Sequence, residues 1–224
     1  MSKINKLDLL IAIYIFCIVA SELMGAKTFF LFKVGTLNLN ASVAILLTPL
    51  IFLINDVITE VYGRARTRSI IKSGLIIIVL LIIFTLFATG ITPSARFLAS
   101  NSAYVEVFHI SIRISVASLL AFTLSEFLDV LVFNKIRDRL GRKNLWLRTN
   151  ASNIISLSVD TIVFFTLAFY SLNLPVGQNI TFLLGLIIPY GLLKCSMSIL
   201  ETPFVYLGVK WLKKENSQYE NNNL

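Results

Sequence analysis

Nine ionisable side chains lie inside long apolar runs of this 224-residue chain or at their edges: Glu22, Asp56, Glu60, Arg113, Glu126, Asp129, Asp160, Lys194 and Glu201. A charge placed in hydrocarbon costs at least about 2.5 kcal/mol on insertion scales, so a bundle that served only as an anchor would carry Leu at such positions. Their spacing groups them. Asp56 and Glu60 are four apart and share a helix face, as do Glu126 and Asp129 at a spacing of three. Asn153 and Asp160 lie two turns apart on one stripe. Lys194 and Glu201 repeat that spacing, with Ser198 between them, and Arg113 sits close to Ser115 and Ser118. Stripes of this kind are expected to face a bundle interior, where polar groups from several helices build a hydrated cavity or a paired network. A carboxylate there can accept N–H donors from a ligand or carry a proton, and a cation or amide can donate to a carbonyl.

For single residues a structural role competes. Glu60 lies beside Arg64 and Asp129 near Lys135, as in helix-end ion pairs. Glu22 stands where it could face water, and Arg113 where it could snorkel. Across the set, internal pairing that only holds helices together is the plain alternative.

The elements that must position these residues follow from composition. Hydrophobic residues make up 56% and charged residues 14%, with a mean hydropathy of +0.81. A soluble domain carries roughly 25% charge, so there is too little polar surface here to cover a water-soluble globule. Six apolar runs, each near or above the ~20 residues of a spanning helix, cover roughly Leu9 to Phe32, Ala41 to Tyr62, Ile70 to Gly90, Phe108 to Phe133, Ala151 to Leu172 and Thr181 to Trp211. The expected fold is an all-α membrane protein of six transmembrane helices: residues 1–214 form one domain and the polar stretch 215–224 a disordered tail. The first run follows Lys3 and Lys6 but continues past Ala20 without a cleavage motif, and so reads as an uncleaved helix.

Lys3 and Lys6, the four cations of Arg64 to Lys72, the six of Lys135 to Arg148 and the three of Lys210 to Lys214 all fall on one side of a six-span chain, while only Lys27, Lys33 and Arg96 fall on the other. The positive-inside rule then places both termini in the cytoplasm. It also accounts for the net charge of +8 without nucleic acid. Cys17 and Cys195 sit in apolar runs and read as packing residues. Pro49, Pro189 and Pro203 fall within spans, where proline can kink a helix, and Gly185 and Gly191 flank Pro189. Phe164, Phe165, Phe169 and Tyr170 read as packing or lipid-facing aromatics. No phosphate loop, dinucleotide fingerprint, metal cluster or nucleophile triad is present, and the single histidine, His109, lies near an interface. No cofactor, metal or enzymatic chemistry is expected.

Four stretches together carry a family resemblance: SELMGAKTF (Ser21 to Phe29), PLIFLINDVITEVYGRARTRSII (Pro49 to Ile71), RISVASLLAFTLSEFLDVLVFNKIRD (Arg113 to Asp138) and RTNASNIISLSVDTIVFFTLAF (Arg148 to Phe169). In order and spacing the chain resembles the queuosine precursor transporter family, also called the vitamin uptake transporter family, over about Ser21 to Tyr170. The resemblance implies import across the inner membrane of 7-cyano-7-deazaguanine, its aminomethyl relative or queuine, for salvage of the tRNA base queuosine. It matches Asp56 and Glu60 to the acidic pair of the second helix, Arg113 and Asp129 to the Arg and Asp of the fourth, and Asp160 to the Asp of the fifth. Glu126 and Leu157 stand where the family often carries Gln, which bears on the preferred base. The expected substrate-binding set is Asp56, Glu60, Arg113, Glu126, Asp129, Asn153, Asp160, Lys194 and Glu201. One carboxylate among Glu126, Asp129 and Asp160 is expected to hold the base edge, with Asp56, Glu60 or Glu201 carrying a coupling ion. The implied partners are a small-molecule 7-deazaguanine, membrane lipid and, compatibly, further copies of the chain. Two other readings fit the same residues: a substrate-binding membrane subunit of an ATPase-energised vitamin uptake system, and an intramembrane enzyme or assembly factor.

Overall fold

The computed structural model describes residues 5–140 and 145–222. Seven helices follow in order: α1 (Lys6–Met24), α2 (Thr48–Tyr62), α3 (Arg64–Gly90), α4 (Leu98–Leu140), α5 (Leu145–Phe169), α6 (Val176–Leu200) and α7 (Thr202–Asn222). A hairpin of β1 (Thr28–Val34) and β2 (Leu37–Ser42), then a 3-10 turn (Val43–Leu46), lies between α1 and α2. By length and composition, Lys6–Met24, Val43–Tyr62, Arg64–Gly90, Leu98–Leu128 and Val176–Lys194 can each cross a membrane, and Ile154–Phe169 is a shorter apolar helix. The chain is an all-α, multi-pass membrane protein.

Two runs resolve differently from their sequence reading. The first is not helical to Phe32: α1 stops at Met24, and Gly25 closes it by donating to the Ser21 carbonyl at 2.9 Å. The aromatic and β-branched stretch TFFLFKV then forms β1, and Gly35, with φ +59°, makes the tight turn into β2 that a residue with a Cβ resists. Ser42 Oγ donates to the Gly25 carbonyl at 2.6 Å and the Val43 amide to the Lys27 carbonyl at 2.9 Å, which closes the hairpin at its base. The last run, expected as one helix from Thr181 to Trp211, breaks at Glu201. Pro203 has no N–H for the carbonyl four residues back, and its ring would clash there, so α6 ends and α7 restarts with proline in its first turn. Pro49 occupies the same kind of position at the start of α2 and does not kink a helix interior. Pro189 alone among these three lies inside a helix.

The described residues form two compact units. One holds α1, α2, α3, the start of α4 and α7. Tyr14, Ile54, Ile58 and Ile70 form its core, with Leu10, Ile11 and Ile18 packed around them. Close helix approach depends on glycine, as is common in membranes. A Cβ on Gly74 would lie 2.7 Å from Ile18 Cδ1 of α1, and one on Gly208 2.6 Å from Val57 Cγ2 of α2. Opposite this buried face, α3 exposes Ile76, Leu80, Ile83, Phe84 and Phe87, the side a bilayer would wet.

The second unit holds the hairpin, most of α4, α5 and most of α6. Ile114, Ala117 and Ala121 are buried on α4, and Phe165 packs against Phe169, Phe164 and Tyr190, with ring centroids 4.8 Å apart in the last pair. Gly185 lets β2 lie on α6: a Cβ there would sit 2.4 Å from the Asn38 carbonyl oxygen. That collision is with backbone and cannot be relieved by a rotamer change. Replacing a helical Gly by Ala ordinarily gains about 1 kcal/mol. Gly185→Ala is expected instead to lose about 1–3 kcal/mol through overpacking. Gly177→Ala, where nothing lies within 4 Å of the added atom, should keep the ordinary gain. Thermal unfolding of the two variants in detergent, side by side, checks the contrast.

Candidate functional site

In the first unit the structure brings together Asp56 of α2 and Glu201, the residue at the α6–α7 break. Their carboxyl groups lie within side-chain hydrogen-bonding reach of each other. Two carboxyl groups can bond in this way only when one of them holds a proton, since an ionised carboxylate has no donor. Glu201 is buried at 9% exposure, and its Oε2 atom has no hydrogen-bond partner among the described residues. Asp56 is exposed, so the pair joins an accessible acid to a buried one.

The pair is held by rigid neighbours. The Glu201 carbonyl accepts from the Val205 amide at 2.8 Å and so caps α7, which fixes the backbone from which its side chain leaves. Val57, next to Asp56, meets Gly208 of α7. Asn55, on the other side, has its side chain beside Tyr14 of α1, and its Oδ1 is buried and without a hydrogen-bond partner among the described residues. Glu60 lies one turn beyond Asp56 and is exposed. The Thr59 and Thr67 hydroxyls then join α2 to α3 at 2.8 Å across the Gly63 break, where φ is +82°.

The other sequence-selected residues are placed as follows. Lys194, near the end of α6, is half-buried. Glu22 is buried on α1. In the second unit, Glu126 is exposed on α4 and Asp160 half-buried on α5. Arg113 of α4 donates from Nε to the Leu167 carbonyl at 2.9 Å and from Nη2 to the Tyr170 carbonyl at 2.5 Å. These are the orphan carbonyls at the C-terminal end of α5, where a cation also meets the negative end of the helix dipole. The side chains of Asp129 and Asn153 lie outside the described residues.

Sequence reading passed over the carboxamides of β2 and of the start of α6. Asn179, buried at 2% exposure, accepts from the Ser171 amide at 2.8 Å and donates to the Ser171 and Leu174 carbonyls at 2.8 and 3.1 Å, closing the α5–α6 connection. Asn38 and Asn40 of β2 and Gln178 and Thr181 of α6, with Gly177 and Phe182, line a hollow of about 350 Å³. The signal was present: alternation in LNLNAS sends Asn38 and Asn40 to one face of a strand, once the strand is recognised.

A multi-pass bundle in which an exposed and a buried acid meet at a helix break has the makings of a membrane transporter. The chain belongs to the vitamin uptake transporter family: residues 42–208 match the family described as "Putative vitamin uptake transporter". It is similar to the "Probable queuosine precursor transporter" of Bacillus subtilis (strain 168), with 30% identity over 205 residues, covering 89% of this chain and 83% of that protein. It is also similar to the "Queuosine precursor transporter" of Escherichia coli (strain K12), with 32% identity over 124 residues. A "Probable queuosine precursor transporter" of Haemophilus influenzae (strain ATCC 51907 / DSM 11121 / KW20 / Rd) shows the same identity over the same length. The matches span about half the length of these last two proteins, 52% and 49%. No solved structure matches the chain.

Two functions for Arg113 are separable by measurement. As a clamp on the end of α5 it needs the planar fork, which Lys lacks. Arg113→Lys should therefore lower thermal stability by about 1 kcal/mol, the worth of a typical hydrogen bond. Unchanged melting with a raised KM for substrate would instead assign the guanidinium to the ligand.

Proposed function

We propose that this protein imports queuosine precursors, namely 7-cyano-7-deazaguanine, its aminomethyl relative or queuine, across the inner membrane for tRNA queuosine salvage. The observation that carries this reading is the likeness, along 89% of the chain, to a protein named as a transporter of such precursors. Its termini face the cytoplasm, since the cation-rich connections share one side of a six-span chain.

The roles follow from chemistry. A deazaguanine ring offers adjacent N–H donors and a carbonyl acceptor. A carboxylate among Glu126, Asp129 and Asp160 accepts the donors, and in a low-dielectric site a ligand that leaves such a group unpaired is rejected. The Asp56–Glu201 pair carries the coupling proton. The buried oxygen of Glu201 and the accessible carboxyl of Asp56 allow that proton to pass between a protected and an exposed position. Glu60, one turn along the same face, leads from the pair toward the end of α2.

Uptake of labelled 7-cyano-7-deazaguanine into cells unable to synthesise queuosine tests the substrate. Accumulation, and queuosine in tRNA that depends on expression of this chain, is the expected result. Queuosine modification from external precursor without the chain would defeat the proposal. Reconstitution of the purified chain alone in liposomes tests the energy source. Glu201→Gln, which keeps shape but cannot ionise, should abolish uphill accumulation driven by a proton gradient and leave counterflow exchange of substrate intact. Equal loss of both would remove the coupling role.

A further inference from the structure

Asn38, Asn40, Gly177, Gln178, Thr181 and Phe182 enclose the hollow between β2 and the first turns of α6, all within the second unit. We propose that this hollow is a recognition site for an uncharged, flat heterocycle with a lactam edge, read on the side of the membrane opposite the cation-rich connections. The identity of the occupant as a deazaguanine rests on the importer reading; the chemical class does not.

Four observations converge. The volume of about 350 Å³ is at the lower end of small-molecule pockets and suits a bicyclic ring. The polar lining is carboxamide and hydroxyl, with no cation or carboxylate, so a phosphate or free acid finds no counter-charge. A carboxamide presents a donor and an acceptor side by side, which pairs with the N–H and C=O of a lactam, and Phe182 supplies an exposed aromatic face for stacking.

The third observation is that these amides are not used to hold the fold. Among the described residues, neither Asn38 nor Gln178 makes a hydrogen bond through its side chain, although Gln178 is the immediate neighbour of Asn179, whose amide is fully engaged. Asn40 donates to the Asn38 carbonyl at 3.2 Å and Thr181 to the Gly177 carbonyl at 2.9 Å, which orients both while leaving their oxygens free to accept. The fourth is rigidity. The contact of Gly185 with the Asn38 backbone fixes the strand wall against the helix wall, so the two walls that carry the amides keep a set spacing. With α1 to α6 read as the six spans, the α1–α2 and α5–α6 connections fall on the same side.

The test uses the purified full-length chain in lipid nanodiscs and equilibrium binding of tritiated 7-cyano-7-deazaguanine, alongside cellular uptake. Gly177→Trp projects a ring from a position with nothing within 4 Å, so it fills the hollow without displacing the fold. It is expected to weaken binding more than tenfold. Gln178→Ala and Asn38→Ala should each weaken it about tenfold, the effect of leaving ligand polar groups unpaired. Should Gly177→Trp fail to fold, the two alanine variants carry the test. Adenine, which lacks the lactam, should compete poorly, and guanine well. Wild-type transport with binding unchanged in all three variants would overturn the site and leave the importer standing. Absence of deazaguanine uptake by the wild type would overturn the importer. The hollow would then stand on binding of hypoxanthine or lumazine that Gly177→Trp abolishes, and would fall if neither binds.

Discussion

Hydrocarbon offers no hydrogen-bond partners, so each polar group of a spanning chain must find its partner within the chain. Much of the polar side-chain chemistry of this protein is committed to that demand. Thr59, Thr89, Thr123, Ser158, Thr161 and Thr181 return their hydroxyls to backbone carbonyls of their own helices, and Thr48 to the Ala44 carbonyl of the preceding 3-10 turn. Ser111 ties α4 to the Leu23 carbonyl of α1 at 2.9 Å. Arg113 satisfies carbonyls at the end of α5, Asn179 those of the α5–α6 connection, and Ser42 that of Gly25. A polar group whose partner is missing therefore stands out. Glu201 Oε2 is such a group, and it sits where the last long apolar run breaks.

The break and the buried acid depend on each other. A continuous helix through residue 201 would direct the side chain by the periodicity that links it to Lys194, seven residues back. Pro203 stops that periodicity, and Glu201 becomes the cap of α7. Its carboxyl then meets Asp56 on α2, the helix that α7 packs against through Gly208 and Val57. Lys6 fastens the far part of α7 to the start of α1 by donating to the Trp211 carbonyl at 2.5 Å, with its ammonium 4.7 Å from the indole centroid. Both contacts lie on α7 beyond the acid pair and hold the helix that Glu201 caps against α2 and α1.

The sequence was legible wherever the solvent dictated it. Runs of apolar residues of bilayer length announced the helices, because nothing but hydrocarbon suits them. The family was legible from the order of four motifs. Within the site, the Asp56–Glu60 spacing was visible, while the meeting of Asp56 with Glu201 was not. The two are 145 positions apart in the chain, and their approach depends on Pro203 acting as a helix start, a role that composition alone does not separate from a kink. The hairpin was hidden for a related reason. TFFLFKV is apolar enough to prolong a helix on hydropathy, and only Gly25, Gly35 and the alternation in β2 mark the strands. Asn38, Asn40, Gln178 and Asn179 were hidden because a carboxamide has no cost in hydrocarbon large enough to draw notice beside nine charges.

That difference in cost also separates two kinds of chemistry in the chain. Charges are conspicuous because burying one requires a partner or a proton, and they suit the work of moving ions. Carboxamides carry no net charge and are hydrated less strongly, so they can read a neutral ligand without attracting counter-ions and can release it when the surroundings change. A transporter needs both properties, since tight capture alone would hold its cargo. As proposed, ligand reading falls to the hairpin–helix amides and a carboxylate of α4 or α5, and energy coupling to the acid pair at the helix break. Each can then be altered by substitution while the other is left in place.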